Sequence, residues 1–326
     1  MLRRDFLGAA LGCTAIAWPS IATAQPPSNK VWRIGYLYPG SLALPADSAI
    51  FGVFRAEMRT LGYVEGENLI IDQRSAEGKF QRLPGMASDL IALRPDAIVA
   101  VTTPAIAAAQ KATSTVPIIM APSINPIGFG FIKSLARPGG NITGLSSMSD
   151  DLMGKTAELF RTLLPHAKRI AVLMSNNPSH LWQYEMAEAA MKKVGLVAVR
   201  IMAPTPDDLA AAFDTIKKEN CEGLFVPGDA TRPAIVTLAA RSKLPAIYHS
   251  AAYAPLGGLL TYSADLNAEF RKAAQYCDRI FKGADPAELP VEQPVIFELA
   301  INLKTAASLG LTFPDSVLVR ADKVIE

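Results

Sequence analysis

Histidine and cysteine are scarce in this chain, with three of each in 326 residues. His166, His180 and His249 stand far apart, without the short spacings that gather metal ligands. No Cys-x-x-Cys occurs, and Cys221 and Cys277 read as separate thiols rather than a disulfide framework. Charge is also thin. Only 19% of residues are charged and the formal net charge is +2, which leaves no basic surplus for a nucleic-acid partner. Phosphate loops are missing as well: Gly154-Lys155-Thr156 has Ser149 where the first glycine of a P-loop belongs, and Gly128-Phe129-Gly130 lacks its third glycine. There is no Gly-x-Ser-x-Gly elbow and no recognisable pair of catalytic carboxylates. The sequence therefore marks no catalytic residue, no cofactor and no metal, while a hydrolytic triad, which need not be local in sequence, stays open.

What is present begins with a targeting pattern. Arg3-Arg4-Asp5-Phe6-Leu7 is a twin-arginine motif, Leu7–Ile21 is apolar, and Ala22-Thr23-Ala24 offers small residues for cleavage before Gln25. The apolar run is short for a membrane span and is broken by Gly8, Gly12 and Pro19. Residues 1–24 are read as a twin-arginine signal peptide cleaved near Ala24, which puts the mature protein in a periplasm. No later run is long and apolar enough to span a bilayer.

The rest of the chain alternates short apolar strands with amphipathic helices, the pattern of a doubly wound parallel sheet. Strands are expected at Val31–Leu37, Asn68–Gln73, Asp96–Val101 and Pro117–Met120, with helices near 47–61, 83–93 and 103–112 between them. The stretch from Pro117 to Met148 then breaks the rhythm. Pro122 and Pro126 end a strand, Phe131–Ala136 reads as a short amphipathic piece, and Pro138-Gly139-Gly140-Asn141 turns the chain back. A second series follows, with strands at Arg169–Met174, Val197–Met202, Gly223–Val226, Pro245–His249 and Leu259–Tyr262. Asp265 is placed to cap a long helix ending at Phe281, and Pro286–Pro294 reads as a further crossing. The fold class is α/β: two doubly wound, Rossmann-like lobes joined by a multi-strand hinge. Lobe 1 is expected over 31–145, and lobe 2 over 146–263 with about 295–326.

In parallel sheets a ligand sits beyond the carboxyl ends of the strands. The polar residues there are Tyr38 and Ser41, Thr102 and Thr103, and Ser123 and Asn125 in the first lobe, with Ser147 at the first crossing. In the second they are Ser175, Asn176, Asn177, Asp229, Tyr248, Ser250 and Tyr253. Helix N-termini at Thr103-Pro104 and near Ser179 offer free N–H groups to an anion such as a carboxylate. Asp229 is the only acid in the set and suits a ligand ammonium, and the tyrosines suit a ring.

The Pro117–Met148 stretch, GYVEGENL before it and LPVEQPVIFELAINLKTAASLGL after it together resemble the bacterial ABC-transporter substrate-binding proteins that include tryptophan and tyrosine receptors. The resemblance covers about Val31 to Glu326. It implies a type I periplasmic binding protein in which about 264–285 returns to lobe 1, and a protein that is not an enzyme: a monomeric receptor that closes on a small molecule, an aromatic or other amino acid or a related small carboxylate, and delivers it to an ABC permease. In the family the position of Asn125 is commonly Asp, so one expected charge is absent here. Two rivals use the same scaffold: a periplasmic enzyme, and a sensor subunit presenting ligand to a membrane kinase.

Overall fold

A computed structural model describes residues 30–147 and 149–326. The twin-arginine segment and its cleavage site lie outside the described residues, as does Met148 of the first crossing. No helix among the described residues is long and apolar enough to cross a membrane.

The first sheet is built from β1 (Trp32–Tyr38), α1 (Pro45–Thr60), β2 (Leu69–Ser75), α2 (Leu83–Ala92), β3 (Ala97–Ala100), α3 (Thr102–Ala112), β4 (Ile118–Ile124) and β5 (Ile142–Ser147). Its five strands are parallel in the order β2-β1-β3-β4-β5. The central strand β3 is buried at all four residues because helices cover both faces.

The chain then crosses into α4 (Ser149–Leu163), β6 (Arg169–Met174), α5 (His180–Lys193), β7 (Val197–Met202), α6 (Leu209–Lys218), β8 (Gly223–Val226), α7 (Ala234–Arg241), β9 (Ala246–Tyr248) and β10 (Leu260–Ala264). It continues through α8 (Leu266–Phe281), β11 (Phe297–Asn302), α9 (Leu303–Ser308), α10 (Asp315–Leu318) and β12 (Lys323–Ile325). The second sheet has the order β12-β11-β10-β9-β8-β6-β7, with β11 antiparallel to β10.

Helix α8 follows a strand of the second sheet but packs on the first. Phe270, Ala273, Ala274, Cys277 and Phe281 recur at helical spacing and meet Phe54 and Met58 of α1 in one buried cluster. Asp265 starts the helix by accepting from the N–H groups of Asn267 and Ala268 at 2.9 and 3.2 Å.

Three details differ from the sequence pattern. Strand β4 runs through Pro122 to Ile124, because a register shift between Met120 and Ser123 accommodates the missing N–H. The amphipathic piece Phe131–Ala136 is a run of bends rather than a regular element, with Phe131 and Ile132 buried in the lobe-1 core. The Pro286–Pro294 stretch does not cross at once. Ala287–Glu292 first lies along the outer side of β5, where Glu292 N donates to Gly144 O at 3.0 Å and Ser146 N to Glu292 O at 2.8 Å. The short elements α10 and β12 carry no periodic pattern long enough to announce them.

Candidate functional site

The carboxyl ends of β1, β3 and β4 face those of β6, β8 and β9 across a cleft, and a cavity of about 130 Å³ lies there. Tyr36, Ile50, Val101, Ile124, Leu152 and Phe270 give it an apolar body. Polar groups from both lobes complete the wall, which is the usual composition of a small-molecule site.

Lobe 1 contributes Tyr38, Asp47, Thr102 and Thr103. Thr102 has φ +62°, a left-handed conformation rare for a β-branched residue, at the junction of β3 and α3. The hydroxyls of Thr102 and Thr103 are buried and have no hydrogen-bond partner among the described residues. They stand at the N-terminus of an eleven-residue helix, where backbone N–H groups are also free. Asp47, in the first turn of α1, is only 3% exposed. Burial raises its carboxyl above the usual range, partly offset by the Tyr38 hydroxyl, by Thr231 and by the backbone N–H of Ser41.

In lobe 2 the organising group is Asp229. It follows β8 after Pro227-Gly228, and its side chain is buried. Ser175 Oγ donates to Oδ2 at 2.6 Å and Asn177 Nδ2 donates to Oδ1 at 3.0 Å. Arg232 Nη2 is 4.0 Å from Oδ2. His180 stands beside the same carboxylate at 3.6 Å. Its Nδ1 accepts from Ser175 N at 2.7 Å, and burial lowers its basicity. Serine, histidine and aspartate thus meet, but not as a nucleophilic relay: the serine hydroxyl is spent on the carboxylate. Gln183 joins the wall through Gly228, whose N–H donates to its Oε1 at 3.2 Å. His249 also lines the cavity. Burial lowers its pKa to about 3, so it is neutral, and its Nε2 lies 2.6 Å from Thr156 Oγ1. No group of three or more His, Cys, Asp or Glu among the described residues has the arrangement of a metal site.

Of the residues singled out from the sequence, the cavity brings together Tyr38, Thr102, Thr103, Ser147, Asn177, Asp229 and Ser250. The others lie off the cavity wall. Ser41 offers its backbone N–H to Asp47. Ser123, in β4, is fully buried and donates to the neighbouring Ile124 O at 3.4 Å. Asn125 has φ +47° and spends its Oδ1 on Gly128 N at 3.1 Å, which closes a loop instead of reaching the cleft. Ser175 acts through Asp229, and Asn176 faces solvent. Tyr248 and Tyr253 stack at 4.5 Å in the lobe-2 core, where the Tyr253 hydroxyl accepts from Arg232 N. Asp229 lines the cavity, and its two oxygens already accept from Ser175 and Asn177 inside the protein.

Sequence reasoning missed Asp47, Gln183, Thr231, His249, Ser263 and Phe270. Asp47 follows Pro45 in a first helical turn, where an acid is normally a dipole partner, and its spacing carries no other mark.

Two doubly wound lobes with three chain crossings, closing on an apolar cavity with a polar rim, define a type I periplasmic binding protein. Residues 42–325 match the ABC transporter substrate binding protein family, and the chain belongs to it. It is 28% identical to a tyrosine-binding protein of Clostridioides difficile (strain R20291), over 81% of this chain and 77% of that protein. A Streptococcus pneumoniae ABC domain solved in complex with L-Trp superposes with a TM-score of 0.83 at 29% identity, over 91% of this chain and all of that one (100%). A leucine-binding protein of Thermotoga maritima shares the fold at a TM-score of 0.56 and 15% identity, over 79% and 78% of the two chains.

Proposed function

We propose that this protein is the solute receptor of an ABC importer, and that its solute is an amino acid with an aromatic or other large apolar side chain. The observation that carries the reading is the cavity wall. It pairs an apolar body with unpartnered hydroxyls at the N-terminus of α3, a combination that suits a carboxylate joined to an apolar group. The tyrosine-binding relative and the L-Trp complex support the same class of solute.

The receptor works as a monomer in the periplasm. Lobe 1 spans 31–145 with 264–285, lobe 2 spans 146–263 with 295–326, and the two close about the crossings between them. Each lobe supplies part of the wall, so solute favours the closed form, and that form docks on the permease. Export uses the pair Arg3-Arg4, with cleavage near Ala24; replacing both arginines with lysine should leave precursor in the cytoplasm. Tryptophan, tyrosine, phenylalanine and leucine should raise the melting temperature in a thermal-shift screen, because they bind the native state alone. Recovery of each solute chemically unchanged separates a receptor from an enzyme. A screen in which no amino acid shifts the transition, or one in which the solute is consumed, would overturn the reading.

A further inference from the structure

The cavity holds two acids, and only one of them has a free side. Asp229 is satisfied at both oxygens by Ser175 and Asn177, with the Arg232 guanidinium 4.0 Å away. Asp47 is different. Its carboxyl is faced by the Tyr38 hydroxyl, by the Ser41 N–H and by Thr231 Oγ1, which donates to Oδ1 at 3.1 Å, but Oδ2 makes no hydrogen bond among the described residues. No lysine or arginine among the described residues forms an ion pair with it. Asp47 is nonetheless 3% exposed and lines the cavity. A carboxylate in that position lacks a counter-charge, and leaving it so is costly. Burial favours the protonated acid, and a cation in the cavity would supply the counter-charge that holds the carboxylate form.

We infer that Asp47 is the anchor for a primary ammonium group of the solute. Thr102 and Thr103, whose buried hydroxyls have no hydrogen-bond partner among the described residues, then take the solute carboxylate. The head group of an α-amino acid is held by lobe 1, and the side chain points into the apolar body of the cavity. Lobe 2 meets this half-site through Thr231, which donates to the same aspartate. Solute therefore loads on lobe 1 first, and closure sets Thr231 on a carboxylate that is already occupied. Asp229 holds the lobe-2 wall in shape without touching the ammonium. This inference rests on the amino-acid reading above and deepens it.

The test compares solutes that differ only by the amine. L-Tryptophan is paired with indole-3-propionate, L-tyrosine with 3-(4-hydroxyphenyl)propionate, and L-leucine with 4-methylpentanoate. Each is titrated calorimetrically into the full mature chain and into Asp47→Asn. The wild type should prefer the amino acid of a pair by at least roughly tenfold, the loss expected for one charge-assisted contact. Asp47→Asn should lose most of that preference, read as the ratio of the two affinities within each pair. Asp47→Glu, which keeps the charge, should keep the preference at weaker affinity. Asp229→Asn should weaken both members of a pair alike. A wild type that binds only the des-amino acids overturns the anchor and leaves a receptor for small carboxylates. An Asp47→Asn protein that keeps the full amine preference overturns the anchor and leaves the amino-acid receptor intact. Binding of neither series removes both. The wild-type comparison needs no variant to fold.

Discussion

Asp47 of α1 and Thr231 of the loop after β8 touch across the cleft, with Thr231 Oγ1 donating to Asp47 Oδ1 at 3.1 Å. The two residues lie 184 positions apart in sequence. One belongs to the lobe built on the first sheet and the other to the lobe built on the second, so the contact exists only when the lobes are together.

Thr231→Val should weaken solute binding without unfolding the protein. It keeps the shape and removes a buried donor, which costs about 1–3 kcal/mol when the acceptor is left unpaired, or roughly five- to a hundredfold in affinity. Calorimetry with the solute from the thermal screen measures the loss. Small-angle scattering of the wild type should show a smaller radius of gyration at saturation. An unchanged radius would argue against hinge closure, and an unchanged affinity in Thr231→Val against the cross-lobe bond.

Asp229→Ala should be far more damaging than Asp229→Asn. The alanine leaves Ser175 and Asn177 without an acceptor and the buried Arg232 without its nearby carboxylate. Removing one side of such a pair costs about 3–5 kcal/mol. Asn keeps an oxygen for one of the donors. Urea unfolding of the three proteins ranks them, and equal midpoints for Ala and Asn would show that the network contributes little.

Gly144→Ala should destabilise lobe 1. Gly144 has φ +120°, and a Cβ there would lie 2.6 Å from both the N and the O of Met120 in β4. Backbone cannot move aside as a side chain can. A cost of about 2–4 kcal/mol is expected, read as a lower melting temperature. A silent substitution would mean that β4 and β5 are less tightly paired than their register indicates.

Glu269 on α8 gives a pH-dependent stability. Burial raises its pKa from 4.5 to about 7, Lys272 lowers it, and Glu292 and Asp265 raise it. The folded protein holds this proton more tightly than the unfolded chain, so stability declines as pH rises from about 4.5 to about 7. The shift corresponds to a penalty of up to about 3 kcal/mol above that window. Glu269→Gln removes the ionisation. Its melting temperature should exceed the wild type's by a few degrees at pH 8, and the gain should vanish at pH 4.5. The same difference at both pH values would place the cause in packing instead.

The alternation of strand and helix was plain in the sequence because each strand is short, apolar and bounded by turn residues. The cap at Asp265 and the helix end at Phe281 could be read for the same local reasons. The wall of the cavity was only half legible. Tyr38, Thr102 and Asp229 follow strands directly, so the rule about carboxyl ends finds them. Asp47 and Gln183 sit in the first turns of α1 and α5, well beyond the ends of β1 and β6, and they become visible only when the lobes are brought together. Asn125 follows a strand and still misses, because its side chain closes its own loop. Tyr248 and Tyr253 look like ring-stacking residues, but they stack on each other.

The placement of α8 ties the making of the molecule to its architecture. Lobe 1 buries Phe54 and Met58 under Phe270, Ala274 and Cys277, and Trp32 stacks on Phe281 at 4.2 Å. Those covering residues leave the ribosome only after most of lobe 2 has been made. A nascent chain that has just finished β5 therefore carries an open greasy flank for the time needed to synthesise more than a hundred further residues. Messages cut short anywhere before α8 give a sticky product rather than a spare half-receptor, so the two halves come into being as one unit or not at all.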